Sequence, residues 1–167
     1  MVQKKEMLVF IVDDDPLFLE ALHHYLSAEN INELTIKKFG TGEACLLEME
    51  QKPEIVVLDY YLNSLVPEAT NGIEILKKIK STYPDTLIIV LSSQDSVETA
   101  VNILDNGAFE YVSKNESAFL RIENIIKNIY QHKQDIQNIR RKIAVGKTVN
   151  IVLLVLFILL IILSRLL

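Results

Sequence analysis

The sequence predicts an α/β protein: a doubly wound, five-stranded parallel sheet with helices on both faces, followed by a long helix and a single transmembrane helix. Three observations carry that prediction. Short apolar runs alternate five times with amphipathic stretches, the rhythm of βαβ units. The runs suited to the sheet interior stop at residues suited to phosphate chemistry. Residues 8–12 stop at Asp13, Asp14 and Asp15, 55–58 at Asp59, 87–91 at Ser92 and Ser93, and 109–112 shortly before Lys114. In an open parallel sheet those carboxyl ends gather in one crevice, the usual place for a ligand. Finally, residues 148–164 are uncharged and almost wholly apolar.

The first unit pairs a strand over 7–12 with a helix over 16–28, opened by Pro16, whose fixed φ suits a first turn. Phe18, Leu19, Leu22 and Leu26 form the inner stripe of this helix, and Asn30 and Asn32 suit the turn after it. Residues 34–39 are half polar, as expected of a strand at a sheet edge. Thr41 and Gly42 lead into a helix through Gln51, with Ala44, Leu47 and Cys45 inward. The strand over 54–58 contains a continuous apolar run and reads as central, covered on both faces. A long loop over 60–70, containing Pro67, precedes a helix opened by Asn71 and Gly72 with Ile73, Ile75, Leu76 and Ile79. A strand over 86–91 follows, then a helix whose Val97, Ala100, Val101 and Leu104 share one face before Asn106 and Gly107 stop it. Residues 109–112 supply the fifth strand.

From Ser117 onward the pattern becomes one long helix with no proline, and no glycine before Gly146. Ile122, Ile125, Ile129, His132, Ile136, Ile139 and Ile143 recur in steps of three and four, the seam of a left-handed coiled coil. The first half of this helix is expected to pack on the sheet; the second half is the better coiled-coil candidate. Such a seam would allow a homodimer through helix 117–147. Residues 148–167 match the roughly 20 residues that a bilayer core requires, with only Arg165 charged. Arg140, Arg141, Lys142 and Lys147 precede them, which by the positive-inside rule places the globular part in the cytoplasm. The expected domains are therefore 1–131, a juxtamembrane coiled-coil linker over 132–147, and a C-terminal transmembrane anchor over 148–167.

Charge divides the chain: residues 1–118 carry 9 Lys and Arg against 20 Asp and Glu, whereas 119–167 carry 8 against 2. The acidic part argues against nucleic acid as a partner, since phosphate binding requires basic surface. A lone Cys45 permits no intramolecular disulfide and fits helix packing in a reducing compartment. The first six residues pass directly toward a strand and do not resemble a secretory leader. His23, His24 and His132 lie on helices and are assigned no chemistry.

Asp13 and Asp14 at one strand mouth, facing Asp59 at the next, form a cluster of like charges that requires a cation. Mg2+ suits three carboxylates plus a phosphate, and the backbone carbonyl of Tyr61 would complete its shell. Asp15 reads as a helix cap. Phosphoryl transfer requires a nucleophile, a metal, a fixed cation and a hydrogen-bond donor. Asp59, Mg2+, Lys114 and the Ser92 hydroxyl supply them.

The string from Phe10 to Pro16, the strand from Ile55 to Asp59, the helix start at Asn71 to Leu76, the strand from Ile89 to Ser93 and the stretch from Gly107 to Lys114 together resemble the receiver domain of two-component response regulators. The resemblance implies a flavodoxin-like receiver fold, with Asp59 accepting phosphate from a kinase phosphohistidine and Ser92 moving with Tyr111 to report it. It implies that Tyr61 and Gln94 tune the access of hydrolytic water. Three features depart from the family: no Met-Pro follows Asp59, the loop before Gly72 is about five residues longer than is common, and Asn115 stands where a proline is usual.

The expected function is a Mg2+-dependent phosphoacceptor, not an enzyme, that takes its phosphoryl group from a sensor histidine kinase or phosphotransfer protein while tethered to the cytoplasmic face of the membrane. The alternative is a receiver-like interaction module at the membrane that signals without phosphate. A phosphatase using Asp13 and Asp15 as an Asp-x-Asp pair is disfavoured by the continuation Pro16-Leu17 and by the lack of a cap domain.

Overall fold

The computed structural model of the protein describes residues 6–28, 34–62, 71–94 and 96–166, with the backbone alone for 152 and 154–166. Strands and helices alternate as β1 (Met7–Val12), α1 (Pro16–Ala28), β2 (Leu34–Phe39), α2 (Gly42–Glu48) with a 3-10 turn (Met49–Gln51), β3 (Ile55–Asp59), α3 (Gly72–Thr82), β4 (Leu87–Ser92), α4 (Val97–Asp105), β5 (Glu110–Ser113) and α5 (Ala118–Leu166). The turn expected at Asn30 and Asn32, and the part of the expected loop that contains Pro67, lie outside the described residues.

All neighbouring strands are parallel, in the order β2-β1-β3-β4-β5. The half-polar β2 is an edge strand, as its composition suggests. The order reverses between β1 and β3, so their carboxyl ends flank the crevice where such sheets bind ligands. Successive side chains in a strand point to opposite faces. On one face Phe10, Val12, Val56, Leu58, Ile88 and Val90 form a core with Cys45, Met49, Ile75, Leu76, Ile79 and Ile103 from the helices. The alternate residues Val9, Ile11, Ile55, Val57, Ile89 and Leu91 are also buried, as are Leu19, Leu22 and Leu26 of α1 and Ala118, Ile122 and Ile126 of α5. Cys45 has its thiol pushed up to about 12 by burial, so it packs as a small apolar group.

Two helix faces differ from expectation. In α2 the buried side is Gly42 and Cys45, continuing to Met49, while Leu47 is 82 % exposed. The helix is seven residues long and docks on that single row, so the row holding Leu47 turns outward. In α4, Ile103 is buried, whereas Val97, Val101 and Leu104 are exposed. The spacing correctly marked a shared face, but that face points to solvent.

The chain divides into two units, Met1–Lys127 and Asn128–Leu167. In the second, Ile136, Ile139 and Ile143 are exposed on α5. The membrane anchor expected over 148–167, and the membrane localisation drawn from it, require correction: among the described residues no helix is long and apolar enough to cross a membrane. α5 carries Arg140, Arg141, Lys142 and Lys147, and beyond Lys147 the described side chains reach only Leu153. Those four cations are costly inside a bilayer core, and the described part of α5 does not form a span.

Candidate functional site

Strand register assembles the site. Val12 pairs with Leu58, so Asp13 and Asp59, next along each chain, come side by side. Asp59 in turn pairs with Leu91, which places Ser92 one step beyond it, and Ser92 pairs with Ser113, which places Lys114 one step further out. The backbone continues the sheet at this rim: the Asp13 amide donates to the Phe39 carbonyl at 3.1 Å, the Tyr60 amide to the Leu91 carbonyl at 2.8 Å, and the Lys114 amide to the Ser92 carbonyl at 2.8 Å.

Asp13, Asp14 and Asp59 are buried and bring carboxylate oxygens within 4.8 Å of one another. Lys114 Nζ lies 2.7 Å from Asp13 Oδ2 and 2.8 Å from Asp59 Oδ2. The Asp13 contact is an ion pair by distance, but Oδ2 has no hydrogen-bond partner of adequate geometry. This buried oxygen therefore keeps acceptor capacity for a further positive group. Three hard carboxylate donors with such an oxygen among them fit a divalent cation of the Mg2+ type. Asp15 caps α1 as expected, its carboxylate accepting from the Leu17 amide at 2.9 Å.

Burial raises the Asp59 pKa to about 6; the Lys114 charge opposes this, Asp13 adds to it, and hydrogen bonds from Lys114 and the Tyr61 backbone oppose it. Burial likewise lifts Asp13 above the usual carboxylate range, against the pull of Lys114. Burial alone would depress Lys114, but Asp59 and Asp13 outweigh it and raise the ammonium above its ordinary value. Lys114 is thus a permanent cation inside a carboxylate cluster.

Ser92 is fully buried and its Oγ accepts from the Gln94 amide at 3.1 Å. Tyr111, half-buried on β5, donates its hydroxyl to the Gln94 carbonyl. Gln94 therefore joins the two residues expected to move together. Tyr61, beside Asp59, stacks edge-on against Tyr60 with centroids 4.8 Å apart.

Sequence reasoning missed two supports. A side chain at Gly72 would collide with the Asp59 carbonyl and Tyr60, so α3 starts in backbone contact with the end of β3; Asn71 caps it by accepting from the Glu74 amide at 3.1 Å. Phe18, assigned only to packing, has Lys114 Nζ 4.6 Å from its ring centroid. An aromatic residue one turn into the helix after the acidic triplet was the available signal. Asn115 orders the way into α5, accepting from the Ser117 amide at 3.0 Å and hydroxyl at 2.8 Å.

Residues 9–127 match the response regulator receiver domain family. The chain belongs to that family. It is 27% identical over 124 residues to the oxygen regulatory protein NreC of Staphylococcus haemolyticus, covering 72% of this chain and 55% of NreC. It is 29% identical over 141 residues to the transcriptional regulatory protein CssR of Bacillus subtilis, covering 83% of this chain and 58% of CssR. It thus spans somewhat over half the length of these relatives. Among solved structures, the BeF3-activated receiver domain of DrrB matches with a TM-score of 0.63 and 28% identity, over 75% of this chain and 98% of that one. Receiver domains bind Mg2+ at an acidic pocket, and Asp13, Asp14 and Asp59 form an acidic pocket here.

Proposed function

We propose that this receiver accepts a phosphoryl group from the phosphohistidine of a histidine kinase or phosphotransfer protein onto Asp59. The supporting observation is the Lys114 ammonium held 2.7 and 2.8 Å from two buried carboxylates, one of them Asp59. An Asp59 oxygen bonds to phosphorus as the bond from phosphorus to the donor imidazole nitrogen breaks; the imidazole leaves with the electron pair and gains a proton. Attack of water on the acyl phosphate later returns the carboxylate and inorganic phosphate. A magnesium ion held by Asp13, Asp14, Asp59 and the Tyr61 carbonyl would, when bound, neutralise phosphoryl oxygens. Lys114 exchanges its contact with Asp59 for one phosphoryl oxygen, and the Ser92 hydroxyl takes another. Ser92 then releases the Gln94 amide, and Tyr111, held by the Gln94 carbonyl, shifts with it.

The linker over 132–147 joins two copies of the chain as a coiled coil; exposed Ile136, Ile139 and Ile143 at steps of three and four support this. The test of the phosphoacceptor role is uptake of phosphate from acetyl phosphate with Mg2+. The unmutated protein incorporates it and Asp59→Asn does not. Equal uptake by both would overturn the assignment, and no uptake by the unmutated protein would favour an interaction module that works without phosphate.

A further inference from the structure

We propose that Phe18 is a positioning residue for Lys114, holding the ammonium in place through the phosphoryl transfer; this rests on the phosphoacceptor reading of Asp59. Lysine is a point charge on a flexible four-carbon stem with three rotatable donors, so two carboxylate partners fix its distance from them but not its direction. The Phe18 ring supplies a further contact. Its centroid lies 4.6 Å from Nζ, within the range at which an ammonium is drawn to an aromatic face. Lys114 is largely shielded from water, with 15% of its side chain exposed, which strengthens that attraction.

The ring is itself held. Phe119, in the first turn of α5, meets it edge-on at 5.3 Å with an interplanar angle of 79°. Phe119 also packs against Tyr25 at 5.6 Å, and the Tyr25 hydroxyl donates to Glu123 at 2.7 Å. Phe18 and Tyr25 belong to α1, Phe119 and Glu123 to α5, so two helices lock the face that Lys114 approaches. The consequence is specific to transfer. When Asp59 takes up the phosphoryl group, the ammonium must exchange a carboxylate oxygen for a phosphoryl oxygen. The ring does not depend on which oxygen is present, and it keeps the ammonium aimed during the exchange.

The test compares Phe18→Leu, which keeps apolar bulk without a ring, with Phe18→Tyr, which keeps the ring. Phosphate uptake from acetyl phosphate with Mg2+ should slow about thirtyfold in Phe18→Leu, the value of one cation–π contact shielded from water, and stay within about twofold in Phe18→Tyr. Proton NMR of the Lys114 ε-methylene reads the contact without phosphate. Its signals should lie upfield, shifted by the ring, in the unmutated protein and Phe18→Tyr, and return to ordinary lysine values in Phe18→Leu. Should Phe18→Leu lose its thermal transition, Phe18→Met takes its place with the same expectations. Uptake by the ring-less variant at the unmutated rate overturns the proposal, as do Lys114 signals that do not respond to loss of the ring. If the unmutated protein takes up no phosphate, the phosphoacceptor reading falls, and the Lys114 signals alone decide whether the ring holds the ammonium.

Discussion

The acidic pocket and the outer face of α4 break the usual distribution of side chains in opposite directions. The pocket buries Asp13, Asp14 and Asp59, while α4 exposes Val97, Val101 and Leu104. Charged groups are almost never fully buried unless paired, and here the pairing is supplied by Lys114. The exposed face of α4 reflects how little of that helix is docked, with Ile103 its buried residue. By contrast α3 buries Gly72, Ile75, Leu76 and Ile79. One end of the sheet thus stores electrostatic cost, and the helix beside it is lightly held. On the pocket side Ser92 Oγ accepts from the Gln94 amide, and Ser96 caps the start of α4. Low local stability next to a chemically loaded site is where conformational change is cheapest.

The largest effect is expected from removing the cation. Lys114→Met leaves Asp13 and Asp59 as buried like charges, and losing one partner of a buried pair costs about 3–5 kcal/mol. Chemical denaturation at pH 7 without metal should show that loss. Both carboxylates then have still higher folded pKa values, so the penalty should shrink as pH falls and they take up protons. Added Mg2+ should recover more stability in this variant than in the unmutated protein. A metal-free stability equal to that of the unmutated protein would mean that the ammonium does not compensate the cluster.

Asp59→Asn acts in the opposite direction. The Asp59 pKa is raised from 3.8 to about 6, so the ionised folded form is disfavoured, and stability is lost as pH rises from about 4 through 6. Replacing the carboxylate by a neutral amide should raise metal-free stability at pH 7 by at most about 3 kcal/mol, the equivalent of that shift. The gain should vanish near pH 4, where the unmutated carboxyl is protonated as well. Thermal melts across that pH range check the sign. A companion expectation concerns metal binding: because a cation must displace the proton from the Asp59 carboxyl, the apparent affinity for Mg2+, read by titration, should fall as pH drops through about 6.

Much of this pocket is legible in the sequence because a parallel sheet converts the end of each apolar run into a position in space. Asp13, Asp59 and Lys114 are far apart along the chain, yet all three end strands or immediately follow them, and the register brings them together. The predicted helix over 16–28 and strand over 34–39 coincide with α1 and β2. The strands predicted over 54–58 and 86–91 are observed one residue later, at Ile55–Asp59 and Leu87–Ser92, because the hydrogen-bond ladder continues into the polar residue that serves the site. The orientation of short helices was not legible. Periodicity shows that Val97, Val101 and Leu104 share a stripe, but the side on which a nine-residue helix docks depends on the sheet surface beneath it. The same holds for Leu47. Nor does spacing reveal that Phe18, one member of a regular inner stripe, turns its ring to an ammonium contributed by the far edge strand.

The smallest effects are expected on α4 itself, and they separate its two sides. Ile103→Ala removes the buried anchor and should cost about 2 kcal/mol, at the low end for such a truncation because a lightly docked helix can settle into the space. Val101→Ser, on the half-exposed outer row, should change global stability by no more than about 0.5 kcal/mol. Amide exchange in α4 distinguishes anchoring from exposure. Ile103→Ala should speed exchange throughout α4 while leaving α3 protected, since α3 is pinned through Gly72 to the backbone of Asp59 and Tyr60. If exchange rises equally in both helices, α4 unfolds only with the rest of the domain, and the contrast between a firmly held α3 and a lightly held α4 is lost.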